Sequence, residues 1–255
     1  MTEMFAITGA SSGLGHEMAM QLARGGARVI ATARRSEKLA ALAGEYVDRI
    51  EPYTLDVTDE TGCEVFVEDV LARGVDRLIL NAGVTAVERF TDGTDAVDAQ
   101  IIATNVSANL RLIRAVAAGW IARGVHGRIL IVASLAGLAP LPYQAVYSGS
   151  KAFMVTTGLA LREELAEHGV SVCVFAPGGI KTEMTQDAKF AHLSSELAPV
   201  CDVARAALKA LADDEALSVP GAKNKLAALA TRLLPRQMVA RAMKKTFRKS
   251  IEDSL

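Results

Sequence analysis

Short apolar runs recur along the chain, and each is followed by a stretch with helical periodicity. Met4-Phe5-Ala6-Ile7 is the first. The pattern predicts strands near 4–8, 27–33, 50–55, 77–81, 128–133 and 171–176, with a last short one near 217–219. The intervening stretches read as helices, punctuated by turns such as Gly25-Gly26 and His168-Gly169. Strand–helix alternation predicts an α/β chain with a parallel sheet and right-handed crossovers. Ligands of such sheets bind beyond the carboxyl ends of the strands. Gly9, Asn81, Ser134 and Pro177 each fall just after a predicted strand, so four separated segments converge on one edge. Residues 1–255 show no repeat, low-complexity tract or interdomain linker and are expected to form one domain.

Two helices are apolar beyond a single stripe. Helix 107–123 carries Leu110, Leu112, Ile113, Val116, Trp120 and Ile121. The helix that begins near Tyr147 carries Phe153, Met154, Val155, Leu159, Leu161 and Leu165. A surface helix needs only one apolar face. Burial on two sides predicts a homodimer through these helices, or a homotetramer as a dimer of dimers.

Residues 221–255 form a different kind of segment. Lys223, Lys225, Arg232, Arg236, Arg241, Lys244, Lys245, Arg248 and Lys249 lie among leucines and methionines, and 216–251 has no Asp or Glu. The pattern predicts a basic amphipathic helical tail broken at Pro235. The favoured expectation is a helical lid or oligomer arm whose apolar face packs on protein. Peripheral contact with an anionic membrane is the second choice. Nucleic-acid binding is not expected, since no recognition motif accompanies the charge.

Composition adds little to this picture. The chain has 255 residues, of which 51% are hydrophobic, and a formal net charge of −1. That suits a sheet covered on both faces and argues against general nucleic-acid binding. Cys63, Cys173 and Cys201 are widely spaced and lack zinc-site spacing, so no metal site is expected. They read as free thiols of a reducing cytoplasm. The first strand begins within four residues of Met1, which leaves no room for a signal peptide.

The chemistry concentrates at Tyr147 and Lys151, four residues apart, with Ser134 thirteen residues upstream. One helical turn puts phenol and ammonium on the same face. A phenol has a reference pKa of about 10, and a nearby cation lowers it. Such a pair can exchange a proton with an alcohol or carbonyl, and Ser134 can hold the same oxygen. A second motif is Thr8-Gly9-Ala10-Ser11-Ser12-Gly13-Leu14-Gly15, between the first strand and a helical pattern. Glycines let the backbone approach a phosphate, and the helix N-terminus offers free N–H groups to it. The spacing is G-x-x-x-G-x-G rather than G-x-G-x-x-G.

Together these residues resemble the short-chain dehydrogenase/reductase family, up to about Pro220. Asp56-Val57 resembles its adenine-contacting segment, Asn81-Ala82-Gly83 its Asn-Ala-Gly turn, and Asn105 its catalytic helix Asn. Pro177-Gly178-Gly179-Ile180-Lys181-Thr182 resembles its segment beside the nicotinamide. The resemblance implies a single-domain, doubly wound, Rossmann-like sheet with the tail as a C-terminal helical extension. It implies Asn105, Ser134, Tyr147 and Lys151 as catalytic residues. It places cofactor contacts at Gly9, Ser11, Ser12, Gly13, Leu14, Gly15, Asp56, Val57, Asn81, Ala82, Gly83, Tyr147, Lys151, Pro177, Gly178, Ile180 and Thr182.

The end of the second strand reads Ala31-Thr32-Ala33-Arg34-Arg35, with no carboxylate until Glu37. Ala33 stands where the resemblance places an NAD-selecting Asp, and Arg34 can meet a 2′-phosphate by a charge-assisted bond. NADP(H) is therefore expected, with Thr32 and Arg35 assisting. The resemblance implies hydride transfer between the nicotinamide and a ketone or secondary alcohol, of the carbonyl-reductase type, with the following roles. Tyr147 exchanges the proton, Lys151 lowers its pKa and holds ribose hydroxyls, and Asn105 orders a water. An NADP-binding regulator or scaffold on the same fold is the alternative. Leu135 to Gln144 and Lys181 to Pro199 are expected to shape a largely apolar substrate pocket, with Met184, Lys189, Phe190, His192 and Leu193 in the second stretch.

Overall fold

The computed structural model describes residues 3–185 and 197–252. The sequence expectations for Lys189, Phe190, His192 and Leu193 fall outside the described residues. Seven parallel strands form one sheet: β1 Met4–Thr8, β2 Arg28–Ala33, β3 Ile50–Thr54, β4 Arg77–Leu80, β5 Arg128–Val132, β6 Ser171–Phe175 and β7 Leu217–Ser218. Their order is β3-β2-β1-β4-β5-β6-β7. The helices are α1 Gly13–Arg24, α2 Ser36–Glu45, α3 Glu60–Ala72, α4 Asp95–Ile102, α5 Ala108–Ala122, α6 Ala145–Ala166, α7 Val200–Ala212, α8 Ala222–Leu233 and α9 Arg236–Glu252.

Successive strand side chains point to opposite faces, and two cores follow from that. Ala6, Ile30, Leu78, Ile129 and Val172 face α3 and α5, where Phe66, Leu112 and Val116 meet them. Phe5, Ile7, Val29, Leu130 and Phe175 face α1, α2 and α7, against Met18, Leu39 and Val203. The chain runs outward from β1 through β2 to β3, then restarts at β4 on the other side. The crevice between the ends of β1 and β4 is the topological switch point of the sheet. Ile7 pairs with Ala31 on one side and Ile79 on the other, so β1 is central.

Two close approaches fix α6, the helix of Tyr147 and Lys151. A Cβ on Gly158 would lie 2.6 Å from Val174 Cγ2, so the helix presses on the sheet there. A Cβ on Gly137 would lie 2.7 Å from the Lys151 carbonyl carbon. The turn after β5, which holds Ser134, therefore rests directly on the backbone of α6. The predicted break of the tail falls at Pro235, between α8 and α9. The predicted helix 107–123 begins differently: residues Ala103–Ser107 make a π-helical turn that joins α4 to α5, and Asn105 sits in its middle.

Candidate active site

The glycine-rich turn closes on β4. A Cβ at Gly9, whose φ is +70°, would stand 2.8 Å from Ala82 Cα. A Cβ at Gly15 would meet Asn81 Nδ2 at 2.4 Å. Only glycine fits both places. Asn81 ties the two strand ends together by donating from Nδ2 to the carbonyls of Thr8 (3.1 Å) and Gly9 (3.0 Å). The Thr8 hydroxyl accepts from the backbone N–H groups of Asn81 and Ala82. Leu14 buries its side chain in the core, so only its backbone faces the turn. Ser12 is the N-cap of α1, and its hydroxyl accepts from Arg35 Nη2 at 2.6 Å instead of closing on the helix. The donors of the first helical turn thus point at the crevice, where a pyrophosphate would fit.

The charges beside this turn differ from the sequence expectation. Arg35 is the arginine that grips it, donating to Ser11 Oγ at 3.1 and 3.0 Å as well as to Ser12. Arg34 is more exposed and stands 3.8 Å from Asp56. Thr32 cannot assist a phosphate contact. It is fully buried within the sheet, and its hydroxyl has no partner among the described residues. Two residues that the sequence did not single out join the group. Glu183 accepts from Arg35 at 3.0 Å and from Lys38 at 2.5 Å. The Lys38 and Arg35 bonds hold the Glu183 carboxyl down at about 2. Its neighbour Thr182 lies 3.2 Å from where a Gly13 Cβ would be, so the segment after Pro177 covers the start of α1. The Pro177 carbonyl accepts from Leu135 N at 2.7 Å, and Ile180 bridges to Ala198.

Asp56 accepts from the backbone and hydroxyl of Thr58 at 2.9 and 2.8 Å. Burial works to raise its pKa, but those bonds and the Arg34 charge outweigh it, and the net shift is downward. Val57 is buried next to it, and its carbonyl accepts from Cys63 Sγ.

At the other end of the crevice Ser134, Tyr147 and Lys151 come together as the spacing predicted. The Ser134 and Tyr147 hydroxyls share a hydrogen bond. Ser134 also accepts from Ala136 N at 3.1 Å, which fixes its rotamer. Lys151 is 5% exposed and donates to the Val132 carbonyl at 2.9 Å. Its Nζ lies 5.9 Å from the Tyr147 ring centroid. Burial brings the Lys151 pKa down to about 8. In this geometry Lys151 does not bring the tyrosine pKa below its usual value. Burial raises the Tyr147 pKa, and the Ser134 bond offsets only part of that rise. The phenol is therefore held in its protonated form.

Asn105 joins three elements. Its Nδ2 donates to the Val84 carbonyl at 2.9 Å and to Ser150 Oγ at 3.0 Å, and its Oδ1 accepts from Val84 N at 2.9 Å. Its own carbonyl accepts from Asn109 Nδ2 at 2.8 Å. Gly83 packs above: a Cβ there would stand 3.3 Å from Asn105 Oδ1 and 3.4 Å from Lys151 Nζ. Buried Gln144, three residues before Tyr147, donates to Thr85 Oγ1 at 3.0 Å. Tyr143 has φ +69°, a left-handed conformation that costs a bulky residue, and its carbonyl accepts from Glu88 N at 3.0 Å. Leu141, Tyr143, Val87 and Phe247 of α9 form a small apolar cluster beside these loops. No cluster of metal-ligating side chains occurs among the described residues.

The short chain dehydrogenase family model matches residues 3–191. The chain belongs to that family of oxidoreductases. It is 39% identical over 189 residues to an uncharacterized oxidoreductase of Myxococcus xanthus, covering 72% of this chain and 74% of the relative. It is 35% identical over 182 residues to the 3-oxoacyl-(acyl-carrier-protein) reductase FabG of Escherichia coli, covering 71% and 74%. Among solved structures it resembles a short-chain dehydrogenase from Sphingobium yanoikuyae in complex with NADPH, with 29% identity, a TM-score of 0.80 and coverage of 91% and 93%. It also resembles a 3-ketoacyl-(acyl-carrier-protein) reductase from Brucella melitensis complexed with NADH, with 27% identity, a TM-score of 0.77 and coverage of 85% and 94%.

Proposed function

We propose that this protein is an NADP(H)-dependent oxidoreductase that reduces a ketone of moderate size, or oxidises the corresponding secondary alcohol. The observation that carries the reading is the Ser134–Tyr147–Lys151 group at the carboxyl edge of the sheet, its lysine buried and its two hydroxyl residues half-buried, facing the glycine-rich turn across the switch point. When bound, a reduced nicotinamide supplies the hydride. Tyr147 Oη gives its proton to the carbonyl oxygen as negative charge develops there, and Ser134 Oγ donates a hydrogen bond to the same oxygen. A C–H and an O–H bond form while the carbonyl π bond breaks, so the product is an alcohol. Lys151, an ammonium below about pH 8, steadies the phenolate that remains and can hold ribose hydroxyls. Asn105 serves first as a positioning residue. Its amide clamps the loop after β4 to Ser150 on α6, next to Lys151. Ordering of a water near its carbonyl remains part of the same proposal.

NADH and NADPH both occur among the neighbours, so the cofactor preference rests on this chain's own residues. Arg35 and Lys38 flank the turn, Arg34 stands close by, and β2 ends without a carboxylate. That arrangement suits a 2′-phosphate. The similarity to FabG supports carbonyl reduction as the working direction. The exposed faces of Phe153 on α6 and Ile121 on α5 support the homodimer reading.

The test is a panel of ketones offered to the purified protein with NADPH or NADH, followed by loss of reduced-cofactor absorbance. Turnover is expected for apolar ketones with NADPH. NADPH binding with no turnover on any carbonyl would favour the scaffold reading instead.

A further inference from the structure

The C-terminal arm uses its two helices in opposite ways. Helix α9 packs inward: Val239 and Phe247 are buried, and Phe247 joins Val87, Leu141 and Tyr143 at the loops beside the site. Helix α8 is inverted. Its partly buried positions are Asn224, Ala228, Ala230 and Thr231, small or polar residues. Asn224 sits against Gly178, where a Cβ would meet its Oδ1 at 2.7 Å. The leucines face out: Leu226 is 69% exposed, Leu229 51% and Leu233 74%. At spacings of three and four they form one stripe. Leu234 and Met238, 47% and 55% exposed, extend it across the break at Pro235. Within one chain this half of the arm does not pack its apolar face on protein, as a lid would.

Charge accompanies the stripe. Lys223, Lys225, Arg232 and Arg236 flank the leucines and are exposed, as are Arg241 and Lys244 farther along. No Asp or Glu lies between 216 and 251, so the cationic stretch itself carries no carboxylate, and Glu252 and Asp253 follow only at its end. Nine cations in an arm of a chain whose formal net charge is −1 leave the remaining residues strongly acidic. An apolar stripe bordered by cations matches the depth profile of an anionic bilayer, with acyl chains below and phosphates at the rim. Contiguous exposed leucines of this kind mark an interaction surface.

We propose that α8 and the outer face of α9 dock on an anionic lipid bilayer, with Leu226, Leu229 and Leu233 entering the headgroup boundary. The same arm rests through Phe247 on the loops that precede Tyr147, so the docked surface lies on the substrate side of the molecule. No helix among the described residues is long and apolar enough to cross a membrane, so the contact is peripheral.

The full chain is to be sedimented with vesicles of phosphatidylcholine alone or mixed with phosphatidylglycerol. Binding is expected only with the anionic mixture and should weaken as salt rises, because each cation near the surface contributes about fivefold to partitioning. Leu229→Glu and Leu233→Glu together should reduce vesicle binding at least tenfold. Both side chains face solvent, so near-UV circular dichroism and the rate with a small water-miscible ketone should stay unchanged. Equal binding of wild type and variant, or no binding to anionic vesicles, would overturn the proposal. So would a wild-type oligomer that the variant dissolves, since a second copy would then cover the stripe. Tighter binding to a DNA duplex than to vesicles, unaffected by the leucine changes, would also overturn it.

Discussion

At the Tyr147 end of the crevice, Lys151 is 5% exposed and holds a strand carbonyl, and burial sets the pKa of both lysine and tyrosine. At the Arg35 end the cations stand at the surface and share one carboxylate, Glu183, which is half exposed. The difference lies in what each environment can do. A buried site holds one arrangement and tunes proton affinity, because neither water nor salt can substitute for its partners. An exposed ion pair is weak and exchangeable, so a ligand phosphate can replace a protein carboxylate there at little cost. Chemistry is assigned to the first end and affinity to the second.

Several changes should separate the two ends. Tyr147→Phe removes the proton donor and should lower ketone reduction by about 10²–10⁴ in steady-state assays. Lys151→Met should lower turnover nearly as far and weaken NADPH as well, since its ammonium serves both. Arg35→Ala removes charge-assisted bonds worth roughly 1.5–3 kcal/mol each. It should raise the NADPH Kd by about tenfold or more in fluorescence titrations, with NADH little affected. Arg34→Asp, the change the sequence alone suggests, should have a smaller effect, because Arg34 stands off toward Asp56. Glu183→Gln should have the opposite sign. Freed from their carboxylate, Arg35 and Lys38 should bind NADPH more tightly, by a few-fold in the same titration.

The pH dependence follows from Lys151. Its folded pKa is lowered to about 8 by burial, so it is charged below that value and neutral above it. The Tyr147 pKa is raised, so the phenol keeps its proton through the same range. The reduction rate at saturating cofactor should therefore fall as pH rises through about 8. A profile that stays flat across that pH would contradict the role given to Lys151.

The grouping at the Tyr147 end was legible in the sequence because its geometry is local. A spacing of four residues on a helix fixes Tyr147 and Lys151 on one face in any α/β context. The glycine turn was equally legible, since Gly9 and Gly15 stand where no side chain fits. Strand positions followed from apolar runs, and only the ends moved by a residue or so. What the sequence could not supply was direction in space. Arg34 and Arg35 are neighbours in the chain, yet only the tertiary contacts turn Arg35 toward Ser11 and Ser12. Thr32 reads as polar and available, but strands on both sides bury it. Glu183 meets Arg35 from 148 positions away, which no spacing rule anticipates. The leucine stripe of α8 was visible as a period, but periodicity does not say whether a stripe faces protein or solvent.

The division between the two ends is tested most directly by single-turnover hydride transfer at saturating NADPH, compared among wild type, Tyr147→Phe and Arg35→Ala. The account predicts that Arg35→Ala, once saturated, transfers hydride within about threefold of wild type, because its loss is one of affinity alone. Tyr147→Phe should stay slower by about a hundredfold or more even when fully loaded. Hydride transfer at the wild-type rate in Tyr147→Phe would contradict the assignment of chemistry to the buried end.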